Sequence, residues 1–86
     1  MTHAPLPPDP EAMNDRRSGW ADQAIAVFML ATGTDLEDAV SDLIADIRHW
    51  CDRHDIAFDK ELARAAFHYE AETLGDIQLN EEEPQP

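Results

Sequence analysis

TDLEDAVSDLIADIRHWCDR, residues Thr34–Arg53, carries the spacing of an amphipathic helix and no competing strand alternation. At about 100° per residue, Leu36, Val40, Leu43, Ile47 and Trp50 share one side of that helix, and Asp35, Asp38, Asp42, Asp46 and His49 fall in an adjoining sector about 80° wide. Thr34, with Glu37 three positions later, fits a capping box and predicts where the helix starts. Asp35, Glu37 and Asp38 suit the positive end of its dipole, and Arg48 and Arg53 the negative end. The dipole accounts poorly for Asp42 and Asp46, because its influence fades within the first turn. Like charges one turn apart cost roughly a few tenths of a kcal/mol per pair. Such a column reads either as an ordinary solvated acidic face or as one used for binding a cation, imitating a polyanion or repelling neighbours.

Working outward, a helix is predicted upstream from Asp15 or Ser18 to Thr32, with Trp20, Ala24, Val27, Phe28 and Ala31 as its apolar stripe and Gly33 in the left-handed position that ends it. Ile25, Met29 and Leu30 widen that stripe beyond one face, so this helix is expected to be covered on more than one side. Downstream, His54 to Phe58 reads as a loop, and Asp59 as the cap of a third helix reaching about Thr73. Phe58 is placed as a hydrophobic staple, Leu62, Ala65, Ala66 and Tyr69 form the core stripe, and Gly75 closes the element. The expected fold is all-α, a small three-helix up-down bundle over residues 15–75. A Pro-rich disordered arm is expected over 1–14 and an acidic disordered tail over 76–86.

Eighty-six residues make one small domain whose core is marginal, a size at which pairing often supplies the missing burial, so a homodimer is expected. Nineteen acidic residues against six basic ones argue against direct nucleic-acid binding, which needs Lys and Arg to release counterions from phosphates. The same balance suits a basic surface on a protein partner. Cys51 is the single cysteine and cannot form an intramolecular disulfide; with apolar neighbours it reads as a buried structural thiol, in keeping with a cytoplasmic protein. The first thirty residues lack the basic-then-apolar order of a signal peptide. The apolar run Ala24–Ala31 falls far short of the roughly 20 residues that span a bilayer, so no membrane association is expected.

Candidate partner-binding residues are Asp35, Asp38, Asp42, Asp46, His49 and Trp50. As an alternative, Asp38, Asp42 and Asp46 are candidate ligands for Mg²⁺ or Mn²⁺, provided another helix adds carboxylates; Asp22, Glu61, Glu70 and Glu72 are the acids on offer. His68 and Glu72 stand one turn apart and read as an exposed pair. No nucleophile stands beside a histidine in a recognisable turn, and there is neither a Gly-rich phosphate loop nor a paired-cysteine zinc pattern. No catalytic residue and no cofactor are assigned.

From Leu36 to Glu72, LEDAVSDLIADIRHWCDRHDIAFDKELARAAFHYEAE resembles the back half of the all-α MazG-like nucleotide pyrophosphohydrolases. That family has an acidic E-L-x-D helix, a short G-I-D loop and a helix ending near an F-E-x-R pattern. The resemblance implies a divalent-metal-dependent pyrophosphohydrolase or a degenerate relative, with Asp42 at the family's metal-binding Asp. Ala39 stands where the family has a Glu, and Asp22 is the one acid of Ser18–Thr32, where the family carries E-E-x-x-E. In size and charge the chain is also similar to short, acidic, uncharacterised helical proteins of proteobacteria and their phages, some of which inhibit host or defence machinery. The first functional expectation is a non-catalytic interaction module, an inhibitor or regulator that occupies a basic, nucleic-acid-binding surface of a partner; the second is the hydrolase.

Overall fold

The carboxylate of Asp9 accepts the backbone N–H of Asn14 at 2.9 Å and of Asp15 at 3.1 Å. These are donors that a helix start leaves without partners, so the arm itself caps the first helix. The turn between them closes through the Ala12 N–H to the Asp9 carbonyl at 3.1 Å, with Ala12 in the left-handed region at φ 58°. Helix α1 therefore spans Met13–Thr32 and begins two residues before the expected Asp15. The computed structural model describes residues 5–74. Gly75 and the tail expected over 76–86 lie outside the described residues. Gly33 ends α1 as expected, at φ 76°, with its N–H donated to the Met29 carbonyl at 2.8 Å.

Helix α2 spans Leu36–Arg53, and its cap is Asp35 rather than Thr34. The Asp35 backbone is extended and its carboxylate accepts the Asp38 N–H at 3.3 Å. The Thr34 hydroxyl lies instead 2.8 Å from that of Thr32, so the expected capping box with Glu37 does not form. Two adjacent cap-forming residues compete here, and the charged acceptor wins the donor at the positive end of the helix. At the other end Asp55 takes the left-handed region at φ 58°, and the Ile56 N–H returns to the Cys51 carbonyl at 3.0 Å. This is a Schellman closure, with the Ile56 side chain half-buried and Cys51 buried.

Helix α3 spans Phe58–Leu74, two residues earlier than expected. The Ala57 carbonyl accepts from the N–H groups of Lys60 and Glu61, each at 3.1 Å. Asp59, expected to be the cap, sits inside the first turn, where its charge still suits the dipole. Its carboxylate is 4.0 Å from Arg48, whose guanidinium lies 5.4 Å from the centre of the Phe58 ring.

The fold is all-α, three helices with no strand among the described residues. Its main helix contact is α1 on α2, and α3 touches α2 more sparsely. Among the described residues the buried core holds only Ala39, at 0% exposure, and Cys51, at 4%. Ile25, Phe28 and Met29 form the half-buried face of α1, so that helix is rotated from the expected stripe: Trp20, Ala24, Val27 and Ala31 face outward. A helix apolar on all sides has no face marked out by its own pattern; the contacting helix selects one, and here the selection falls on Ile, Phe and Met. Helix α3 departs likewise, with Leu62, Ala65, Ala66 and Tyr69 all exposed. Polar contacts tie its far end to α1: the Asn14 amide donates to the Glu72 carbonyl at 2.9 Å, and Arg17 meets the Glu72 carboxylate at 3.3 Å. Among the described residues, no helix is long and apolar enough to cross a membrane.

Candidate functional site

Asp38, Asp42 and Asp46 follow one another at single-turn spacing along α2, and all three are exposed. His49 continues the column toward the C-terminal end of the helix and is exposed as well. Asp35 stands at its head, but its carboxylate is already engaged in capping α2. Ion pairs among the described residues link Arg17 to Glu72, Arg48 to Asp59 and Arg64 to Glu61. None of them involves the column, so Asp38, Asp42 and Asp46 face solvent without an ion-pair partner among the described residues.

Trp50 occupies the border between this column and the apolar side of α2. Its ring is stacked on His54 with centroids 3.9 Å apart and planes 20° from parallel, while the His54 Nδ1 lies 2.9 Å from the Trp50 carbonyl oxygen. The stack covers one face of the indole and fixes its orientation; the rest of the ring stays open, at 53% exposure. A flat aromatic held beside a charged column is a suitable contact element, since its rigidity limits the entropy lost when a partner covers it.

Two of the four acids that a metal site would recruit from other helices are committed elsewhere. Glu72 faces Arg17, Glu61 faces Arg64, and among the described residues no group of three or more His, Cys, Asp or Glu is arranged to hold a metal ion. The pairing of His68 with Glu72 expected on α3 is replaced by the contact of Glu72 with Arg17, which joins two helices.

A cleft of about 400 Å³ lies where the arm, the start of α1 and the end of α3 converge, lined in part by Leu6, Pro7, Asp9, Arg17, Tyr69 and Thr73. Periodicity gives no hint of it, because the arm has none. The one signal in the chain is Asp9 ahead of a helix start, a residue type that favours capping.

No protein-family model matches the chain, and comparison with the curated proteins and with solved structures returns no match. The fold and the α2 surface therefore stand on their own physical description.

Proposed function

We propose that this protein is a non-catalytic interaction module of the cytoplasm that works as a homodimer, docking the acidic column of α2 onto a basic surface of a partner protein. A surface that ordinarily holds nucleic acid is the kind of target such a column fits, because evenly spaced carboxylates one helical turn apart present a row of negative charge as a phosphate backbone does. The observation that carries this reading is the exposed run Asp38, Asp42 and Asp46, unpaired among the described residues, of which Asp42 and Asp46 lie beyond the first turn where the helix dipole would favour them. Such complementarity acts chiefly on association rate and partner choice, and salt screens it.

The experiment is a matched recovery from cell lysate at low and high salt, using the parent and the variant in which Asp38, Asp42 and Asp46 are all replaced by Asn. The reading expects partners retained by the parent at low salt, released by salt, and lost with the variant. Equal retention by both proteins overturns it. A magnesium titration with a nucleoside triphosphate cleavage assay belongs beside it: metal-dependent release of pyrophosphate by the parent, absent in the variant, would put the MazG-like hydrolase in its place.

A further inference from the structure

The apolar side of α2 is left open to water. Leu36, Val40, Ile44 and Ile47 are 73, 56, 44 and 43% exposed. At about 100° per residue they lie within one sector about 80° wide, and the centre of that sector stands about 160° from the centre of the acidic column. On one flank the two are separated by Ala39, Leu43 and Trp50, which are buried, half-buried and exposed; on the other flank stand Glu37, Ser41, Ala45, Arg48 and Asp52, all exposed.

We infer that this sector is the surface on which a second copy of the chain docks, its α2 antiparallel to the first, so that the two acidic columns point away from each other on the outside of the pair. The inference rests on the dimeric reading above and adds the surface that makes the dimer.

The amount of open apolar surface is the first argument. With Ala39 and Cys51 as its fully buried residues, the described chain keeps Trp20, Val27, Leu30, Leu36, Val40, Ile44, Ile47, Trp50, Leu62, Phe67 and Tyr69 exposed. Side chains of this kind, about half uncovered, leave on the order of 1,000 Å² of apolar area in water over the three helices together, of which the four residues of the open sector are a part; each partner contributes about 800 Å² to a stable interface. A cover needed for the fold itself must be present whenever the chain is, and a second copy always meets that condition.

Charge is the second argument, and it selects the orientation. Each chain carries a formal net charge of −13, which would drive copies apart unless the acids were turned outward. The open sector contains no charged residue, and Glu37 and Arg48 flank it on the same side, about 16 Å apart along the axis at 1.5 Å per residue. In an isologous pair, residue i of one copy meets residue j of the other and the reverse. An antiparallel two-fold centred on the open sector sets each Arg48 against the other copy's Glu37. A parallel two-fold would set this flank of one copy beside the Ala39 and Leu43 flank of the other, and would bring no Arg48 to a Glu37.

The test is sedimentation equilibrium of the full chain across micromolar concentrations at low salt, with four proteins: the parent, Glu37→Arg, Arg48→Glu and the double exchange. The parent is expected to be a dimer. Each single variant should raise the dimer dissociation constant about three- to tenfold, as two exposed ion pairs turn into like-charge contacts, and the double exchange should return it to the parent's value. Recovery in the double variant separates this from the loss of the Arg48 contact to Asp59, which an arginine at position 37 cannot restore. A parent that stays monomeric and unfolds cooperatively overturns the inference, and so do single variants that dimerise like the parent or a double variant that fails to recover. The variant with Asp38, Asp42 and Asp46 replaced by Asn should remain dimeric, which keeps a failure of the acidic docking surface distinct from a failure of this one.

Discussion

The two long sides of α2 face opposite demands. The apolar side is strongly patterned yet, apart from Ala39, Leu43 and Cys51, lies open; the acidic side is open and keeps like charges in register. The first is a surface lacking a cover, and the second a surface that gains nothing from folding. The difference teaches that one helix can hold two separate reasons for a partner, one from the hydrophobic effect and one from charge. Four sets of variants along α2 test how far each side serves the fold.

The largest effect is expected at Ala39, which has no exposed surface and sits where the apolar side meets the column. Ala39→Leu should destabilise by about 1 to 3 kcal/mol, the usual cost of forcing extra methylenes into a closed contact. Ala45→Leu, the same change at an exposed position, should cost less than about 0.5 kcal/mol. Chemical denaturation of both variants measures the difference, and equal losses would mean that the contact on α2 is not centred near Ala39.

Next comes the cap. Asp35→Ala should remove about 1 kcal/mol, within the range for losing a helix N-cap, and Thr34→Ala should remove clearly less because its hydroxyl faces Thr32. Thermal unfolding of the pair ranks them; the reverse order would restore the capping box that the structure does not form.

How much could be read from the chain follows from these same residues. The three helices and the glycine stop at Gly33 were legible, because periodicity and cap chemistry are local. The caps themselves slipped: by one residue at Thr34, where Asp35 is equally able to serve, and by two at Asp59, where the Ala57 carbonyl opens the helix. The face that α1 turns inward was not legible. With Trp20, Val27 and Leu30 as apolar as Ile25, Phe28 and Met29, only the crossing with α2 decides, and that is tertiary information. The column from Asp38 to Asp46 was found by spacing alone, and the structure adds what spacing cannot give: the acids of α1 and α3 that might have joined it are engaged with Arg17 and Arg64 or stand apart.

Replacing Asp42 and Asp46 together by Asn should raise stability by roughly 0.5 to 1 kcal/mol at low salt, as two like-charge pairs at one-turn spacing are relieved and the first-turn charge of Asp38 is kept. The gain should shrink as salt rises toward about 1 M, where the Debye length falls to about 3 Å. Urea unfolding at two salt concentrations reads both numbers. A loss of stability in the variant would place these carboxylates in the fold's own service and take away the ground for assigning them to a partner.

The smallest effect is expected of Asp55→Gly at the end of α2, where Asp55 holds the left-handed region that a glycine occupies at the end of α1. A side chain with a Cβ is disfavoured there, and Asp tolerates it better than most residues do. Asp55→Gly relieves that strain but adds freedom to the unfolded chain, so the net gain should be only about a few tenths of a kcal/mol. Asp55→Val, which cannot accommodate the positive φ cheaply, should cost about 1 kcal/mol or more. Because the Ile56 N–H returns to the Cys51 carbonyl through this turn, the valine variant should also uncover Cys51, and faster reaction of its thiol with a soluble disulfide reagent is the second readout. Unchanged thiol reactivity together with a loss of stability would show that the apolar side of α2 is closed at this end by packing rather than by the turn.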